Sequence, residues 1–119
     1  MDKISLREKF SQINEYWNPK IIGDINDSCV KIAKLKGEFL WHTHDNEDEM
    51  FYVFKGELTV KLRDKDILLR AGECTIIPKG VEHMPVAKEE AQVMMIEPKG
   101  TLNTGNVQSE RTIAEPERL

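Results

Sequence analysis

The chain contains the segment GEFLWHTHDNEDEMFYVFKG, residues 37–56, and after a short spacer the segment GECTIIPKGVEH, residues 72–83, and these two segments carry its most informative pattern. In the first stretch His42 and His44 are two residues apart, so on an extended strand both imidazoles leave the same face and can meet one ion. Glu49 begins the next apolar run after a short acidic loop. A hairpin at this point would bring the Glu49 carboxylate alongside the two imidazoles.

The run that starts at Glu49 predicts which side chains face inward. If Glu49 points into the fold, Phe51 and Val53 share its face, and a slip of one residue would turn the carboxylate outward. The opposite face then carries Met50, Tyr52 and Phe54. Further candidates for lining a pocket, all of types that usually fill the core of a small barrel, are Phe39, Trp41, Met94 and Ile96.

The second stretch ends one strand and begins another. Pro78 and Gly80 predict a tight turn, and His83, the last histidine of the chain, follows at the start of the next strand. Considered alone, His83 would be interpreted as a surface imidazole or a core imidazole with satisfied hydrogen bonds. Three scattered histidines would seldom give one closely spaced pair and one partner beside a turn.

An N-terminal helix precedes the strands. Leu6, Phe10 and Ile13 are at helical spacing behind Ser5, a candidate N-cap, which predicts a short helix over about residues 5–13. The helical signal stops at the Asn-Pro pair that follows.

From residue 20 onward, short β-branched and apolar runs alternate with Gly, Asp, Asn or Pro. The predicted strands cover residues 20–23, 28–36, 38–42, 50–54, 58–63, 66–70, 74–77, 84–87 and 92–97. Many short antiparallel strands cover their edges by closing into a barrel or a double-sheet jelly roll. The expected fold class is therefore all-β, a small barrel with a short N-terminal helix.

Length and charge exclude several classes of protein. The chain has 119 residues and a mass of 13.7 kDa, which predicts a single domain over residues 1–119, with a barrel core over about 20–98 and a polar tail over about 100–119. A net charge of -4 is not compatible with the broad basic surface that a nucleic-acid-binding protein needs. No stretch approaches the roughly 20 apolar residues of a membrane span. We expect neither nucleic acid nor a membrane as a partner.

The cysteines and the first residues predict the compartment. The start of the chain lacks the charged-then-apolar order of a secretory signal. With only Cys29 and Cys74 present, we expect reduced thiols in the cytoplasm. Both cysteines lie in strand-like apolar surroundings, which predicts that each is buried as a small hydrophobic residue.

The two stretches together resemble the paired signature of the cupin superfamily. The matching positions are His42, His44, Glu49, Gly56, Gly72, Pro78, Gly80 and His83. The sequence departs from the pattern at Gly37, which is one residue too close to the first histidine, and at Ala87, where the family has Asn. Neither departure affects a ligand position. The resemblance covers residues 37–87.

What the resemblance implies is a jelly-roll barrel that holds one divalent metal ion through His42, His44, Glu49 and His83. Three neutral imidazoles and one carboxylate suit Fe, Mn, Ni, Co or Zn, with one or two positions open for water or substrate. The remaining positive charge would attract an anionic or chelating oxygen ligand. The alternative is an empty barrel in which these residues only pack.

The function expected on this basis is a metal-dependent enzyme acting on a small oxygenated or acidic metabolite. Oxygen insertion by a dioxygenase, isomerisation and lyase chemistry all fit an open Lewis-acidic site. Because every histidine is assigned to the metal, proton transfer is left to carboxylates, with Glu49 as the candidate catalytic residue, and this favours oxidative chemistry. The alternative function is a non-enzymatic barrel that binds or senses a small ligand through its metal. A seed-storage-like structural role is a weaker third option.

Other charged residues are weaker candidates. Asp45 and Glu47 belong to an acidic loop that is most simply solvated, although either can support the metal site. Lys61 and Arg63 are most simply the wet face of a strand, and one of them turned inward would bind a substrate carboxylate.

Assembly is predicted from the segments that have few partners inside a small barrel. The N-terminal segment and the polar tail are expected to lie across the barrel or across a partner subunit. The chain is therefore expected to form a homodimer through strand exchange or sheet packing, as the family resemblance also implies.

Overall fold

Seven antiparallel strands and one short helix make up the fold, in a computed structural model that describes residues 1–119. The elements are α1 (Leu6–Ser11), β1 (Lys20–Ile25), β2 (Ser28–Glu38), β3 (Glu49–Lys55), β4 (Glu57–Leu62), β5 (Asp66–Arg70), β6 (Cys74–Ile77) and β7 (His83–Pro98). The expected fold class is confirmed, a small all-β jelly-roll barrel with a short N-terminal helix. No helix is long and apolar enough to cross a membrane.

The helix α1 begins as its sequence predicts. The Ser5 side chain accepts a hydrogen bond from the Glu8 N–H at 3.3 Å, which caps the first turn. The helix ends at Ser11, two residues earlier than expected, because the Ile13 N–H bonds three residues back to the Phe10 carbonyl and tightens the last turn. Phe10 and Ile13 are both buried with Ile32 of β2, so this segment packs against a face of the sheet.

The long strand β7 joins the two layers of the barrel. Its first part pairs with β4, where His83 lies opposite Leu62, and its second part pairs with β3. Strand β2 runs beside both parts, from Val86 to Pro98, in the order β1-β2-β7-β3-β6. Residues 88–90 lie between the two parts and are exposed. The expectation of two strands at 84–87 and 92–97 was wrong, because the chain crosses between layers without a turn.

The predicted strand at 38–42 is also wrong. β2 ends at Glu38, and the Phe39 N–H still donates to the Pro85 carbonyl at 3.0 Å. Proline has no N–H to return that bond. The Phe39 carbonyl accepts instead from the Arg111 guanidinium at 3.1 Å, so the regular ladder stops there.

The main core lies between the two layers and receives side chains from β2 through β7. Its twelve buried residues are Ala33, Leu35, Phe51, Val53, Leu58, Val60, Leu69, Ile77, Ala87, Ala91, Val93 and Met95. The predicted alternation of β3 is confirmed, since Glu49, Phe51 and Val53 are buried and the residues between them are only partly covered.

The two cysteines differ in exposure. Cys29 is buried, as predicted, whereas Cys74 is exposed, and both are free thiols. Cys74 pairs with Tyr52 across β3 and β6, on the face that points away from the core, which explains why the expectation of burial was wrong for it.

The polar tail lies across the barrel. Thr101 and Thr104 are buried, and the Leu119 N–H donates to the Ile21 carbonyl at 2.9 Å. Backbone hydrogen bonds, more than apolar side chains, therefore attach the tail to the strands.

Candidate metal centre

The four residues singled out by the sequence lie together inside the barrel. His42, His44, Glu49 and His83 each offer one ligand atom, and these atoms all lie within 4.8 Å of one another. None of the four residues is more than 4% exposed. They come from three parts of the chain. Glu49 is the first residue of β3, His83 is the first residue of β7, and His42 and His44 lie in the segment after β2.

His42 and His83 are fixed by each other and by their neighbours. Each backbone N–H donates to the other residue's carbonyl at 3.0 Å, which joins the two segments at this point. The Nδ1 atom of His42 lies 2.9 Å from the Leu40 carbonyl, and Nδ1 of His83 lies 2.9 Å from the Val81 carbonyl. A carbonyl can only accept, so each Nδ1 carries the proton and each Nε2 is free to bind a metal.

The atoms that face the middle of the cluster have no hydrogen-bond partners. Glu49 Oε1 lies 3.3 Å from His44 Nε2 and 3.4 Å from His83 Nε2, yet none of these three atoms makes a hydrogen bond. Buried polar atoms are almost always paired, so their lone pairs call for a cation between them. Ligands about 2.1 Å from one ion lie about 3.0 to 3.4 Å apart, which matches these separations. The residues therefore fit a divalent metal.

The protonation of the cluster also suits a metal. Burial and the neighbouring His83 lower the pKa of His42 to about 4, which keeps its imidazole neutral. Burial alone would raise the pKa of Glu49, but contacts with the His44 and His83 imidazoles hold it well below its usual range. Neutral imidazoles and an ionised carboxylate are the forms that bind metal ions.

A small cavity of about 40 Å³ adjoins the cluster and has room for a few water molecules. Its lining residues are Trp17, Pro19, Ala33, Leu35, Phe39, His42, Glu49, Phe51, Pro85, Met95, Glu97 and Asn103. Of the candidate pocket residues, Phe39 and Phe51 line the cavity.

The two residues of β7 that were candidates for lining the pocket, Met94 and Ile96, do not line the cavity. Met95, not Met94 or Ile96, lines the cavity, while Met94 packs against the buried cluster beneath α1. Both faces of this strand bury apolar side chains, so its sequence did not show which face points into the barrel. Trp41 and Val53 are not among the cavity residues either.

A second buried carboxyl group, missed by the sequence reasoning, is also part of the cavity wall. Glu97 is 3% exposed, and its Oε1 lies 3.0 Å from the Nζ of Lys31, which also donates to the Thr101 carbonyl at 3.0 Å. Burial and the nearby charge of Glu49 raise the pKa of Glu97 to about 9, and Lys31 opposes that rise. Along the second part of β7 every other residue is buried, and Glu97 follows Met95 in this alternation. The alternation is the sequence signal that could have predicted the burial of Glu97.

The weaker charged candidates stay outside the cluster. Asp45 is exposed and Glu47 is half-buried, and neither belongs to the group of ligand atoms. Arg63 faces solvent, where it pairs with Glu82 at 2.7 Å and lies 3.7 Å above the Trp41 ring. Lys61 is half-buried, and the buried basic residue that contacts the cavity wall is Lys31, through Glu97.

Comparisons with known proteins agree with this geometry. The sequence profile described as cupin domain matches residues 30–97. The structure of a cupin-2 domain containing protein from Shewanella frigidimarina is 49% identical, with a TM-score of 0.80 over 81% of this chain and 94% of that one. The structure of NMB1881 from Neisseria meningitidis is 30% identical, with a TM-score of 0.76 over 82% of this chain and 100% of that one.

A curated relative is YdbB of Bacillus subtilis, which is 43% identical over 63 residues, or 52% of this chain. The match spans 56% of the length of YdbB, about half of that protein. The profile match takes in all four clustered residues and the strands that position them, and the likeness to the Shewanella protein extends over most of both chains. This chain therefore belongs to the cupin domain family.

Proposed function

We propose that this cupin binds one divalent transition metal and is an enzyme that acts on a small oxygenated or acidic metabolite. The ligands would be His42, His44, Glu49 and His83. The observation that carries the proposal is the convergence of their ligand atoms within 4.8 Å, with inward-facing atoms that have no other partner.

The donor set suits Fe, Mn, Ni, Co or Zn. A bound ion would supply Lewis acidity and open coordination positions, and with iron it would supply reactivity toward dioxygen. The protein contributes three neutral imidazoles and one carboxylate, so a net positive charge remains to attract an anionic oxygen of the substrate.

The walls of the cavity would orient the substrate and exclude water. Phe39 and Phe51 line it, and Trp17 stacks on Phe39 with ring centroids 4.9 Å apart. Glu97 adds a second carboxyl group to the wall, so acid–base chemistry does not depend on Glu49 alone.

Within the enzyme class, a dioxygenase reaction is favoured over isomerase or lyase chemistry. All three histidines belong to the cluster, so no imidazole is left to move protons. The apolar side chains of the cavity also suit dioxygen. A dioxygenase incorporates both atoms of dioxygen into the substrate, so the reaction needs no external reductant.

The small cavity, about 40 Å³, supports a second candidate function. A barrel of this kind would bind or sense a small ligand at its metal without converting it. The two candidates share the metal and differ only in turnover.

Metal analysis of protein purified without chelators tests the shared step. We expect about one transition-metal ion per chain, and a strong loss of metal in His44→Ala and His83→Ala. Glu47→Gln serves as the control, because it removes a carboxylate next to the cluster that does not belong to it. A wild-type protein that takes up no metal would contradict the proposal.

Oxygen consumption then separates the two functions. The iron-loaded protein is assayed with keto acids, diketones, thiols and phenols, and in parallel with sugars for isomerisation. Substrate-dependent oxygen uptake supports a dioxygenase. If the protein neither consumes oxygen nor isomerises a sugar with any of these compounds, the result supports the barrel that only binds a ligand.

We also propose that the chain forms a homodimer through its sheet edges. β5 pairs only with β4 and β6 only with β3, and each edge carries an exposed apolar residue, Leu68 and Ile76. Exposed strand edges of this kind are usually covered. Light scattering should give twice the chain mass, and a value near 13.7 kDa would contradict the dimer.

A further inference from the structure

The C-terminal segment of residues 101–112, called the strap here, lies directly against the histidine segment of the metal centre. Gly105 has a positive φ of 56° and lies next to Thr43 and His42. A Cβ atom at this position would collide with the carbonyl oxygen of Thr43 and lie 3.1 Å from Cδ2 of His42. Only glycine therefore allows the strap to reach the cluster this closely.

The next residue of the strap, Asn106, binds both backbone groups of Thr43. Its N–H donates to the Thr43 carbonyl at 2.9 Å, and its Oδ1 accepts from the Thr43 N–H at 2.8 Å. Thr43 stands between His42 and His44. A residue outside the region 30–97 matched to the family thus helps to fix the backbone that carries both imidazoles, together with the His42–His83 pair and the Gly80 N–H, which donates to the His44 carbonyl at 2.9 Å.

His44 depends on this backbone more than the other two histidines do. The rings of His42 and His83 are held by carbonyl groups at Nδ1, whereas Nδ1 of His44 is buried and has no hydrogen-bond partner. Metal-binding imidazoles are normally oriented by a hydrogen bond from that second nitrogen. The His44 ring has no such bond, so its direction depends on the backbone on either side of it, which Asn106 holds at Thr43 and the Gly80 N–H holds at the His44 carbonyl.

The strap is itself fixed to the barrel. Before Gly105, Thr104 is fully buried, and the Thr101 carbonyl accepts a hydrogen bond from the Nζ of Lys31 on β2 at 3.0 Å. Arg111 donates to the carbonyls of Glu38 and Phe39, and its guanidinium lies 4.6 Å from the Phe39 ring. These contacts on both sides of Gly105 and Asn106 hold the two residues against the histidine segment.

We propose that the strap is a positioning element of the metal centre, in which Gly105 and Asn106 hold the backbone of residues 42–44 so that both imidazoles point at the ion. This inference rests on the proposed function, since it requires a metal at the cluster. It adds to the four ligands two residues that touch no metal and that determine how well the ligands bind it.

The first test compares two alanine variants that share a backbone penalty. Gly105→Ala and Gly100→Ala both place a side chain at positive φ, but a Cβ at Gly100 meets nothing within 4 Å. Affinity for Co²⁺ is measured by competition with a chelator, and the visible spectrum of the Co²⁺ protein reports the ligand geometry. We expect Gly105→Ala to bind roughly ten- to a hundred-fold more weakly with an altered spectrum, and Gly100→Ala to match the wild type.

The second test keeps the proposal falsifiable if Gly105→Ala fails to fold. Asn106→Ala removes the acceptor for the Thr43 N–H, whereas Asn106→Asp retains one. We expect weaker Co²⁺ binding and a changed spectrum in Asn106→Ala, with recovery in Asn106→Asp. Ser109→Ala is the control, because the Ser109 hydroxyl accepts a hydrogen bond only within the strap, from the Arg111 N–H at 3.1 Å.

The outcomes separate the two proposals. Wild-type affinity and spectrum in both Gly105→Ala and Asn106→Ala, with Co²⁺ bound by the wild type, would overturn the role of the strap and leave the metal site standing. A wild-type protein that binds no Co²⁺ would overturn the metal site and the role of the strap together.

Discussion

Burial of a single imidazole, His42, makes the stability of the protein depend on pH. Its pKa is lowered to about 4 by burial and by the neighbouring His83, from a reference value of 6.5. Between these two values the unfolded chain binds a proton that the folded chain does not. The free energy of unfolding of the metal-free protein should therefore fall as the pH falls from 6.5 toward 4, by on the order of 3 kcal/mol from this residue.

Urea unfolding at a series of pH values measures this loss. His42→Gln removes the titrating group and keeps a polar side chain, so its stability should change less over the same interval. An equal pH dependence in the two proteins would show that His42 is not the group responsible.

The residue that the sequence reasoning missed, Glu97, shows where inference from a single sequence stops. Lys31 and Glu97 are both buried and lie 3.0 Å apart, although isolated charged residues normally predict an exposed position. Their partnership depends on the register of β2 against β7, which sets Lys31 opposite Met95. The clustering of His42, His44, Glu49 and His83 could be predicted because a known spacing identified them, whereas no spacing in the chain connects Lys31 and Glu97.

Among the structural elements, the turn between β3 and β4 requires a glycine at Gly56. Gly56 has a φ of 84°, and a Cβ there would lie 2.6 Å from the Glu90 carbonyl oxygen and 3.1 Å from the Ala91 Cα. Both neighbours are backbone atoms of β7, at the place where that strand crosses between layers, so they cannot move aside easily. Gly56→Ala should therefore destabilise the protein by several kcal/mol, from about 1–2 kcal/mol of backbone strain and an overpacking term of similar or larger size.

Gly72→Ala is the matched control for the turn. Gly72 has a φ of 89°, but nothing lies within 4 Å of a Cβ there. In urea or thermal unfolding, the free energy of unfolding of Gly72→Ala should fall only by the contribution from backbone strain. An equal loss of stability in Gly56→Ala and Gly72→Ala would show that the contact of the added Cβ with β7 does not destabilise the protein.

At the level of elements, the motif predicted more than the strand pattern did. The glycines of the motif correctly marked the turn at Gly56 and the short connection at Gly72. The boundaries of β2 and β7 were less predictable. Pro85 ends the ladder beside Phe39, and residues 88–90 pass between layers with no Gly or Pro to mark the change.

For the molecule as a whole, the barrel was predictable and the strap was not. The family-like spacing and the short strands predicted the jelly roll. The tail has few apolar residues, so nothing in its pattern indicated that Gly105 and Asn106 lie against the histidine segment. Their contacts are mainly with backbone atoms, which leave no complementary pattern in the sequence.

A metal at the cluster would tie together distant parts of the chain, namely the segment after β2, the start of β3 and the start of β7. An ion that binds only the folded state adds stability by mass action, about 2.7 kcal/mol at a free concentration one hundred times the Kd. The midpoint of thermal unfolding should therefore rise steadily with Co²⁺ concentration and fall back when a chelator is added. His83→Ala should remove most of this dependence, because it deletes the ligand at which β7 meets the other segments. Glu47→Gln should keep the dependence, and an equal rise in wild type and His83→Ala would place the stabilising ion elsewhere on the protein.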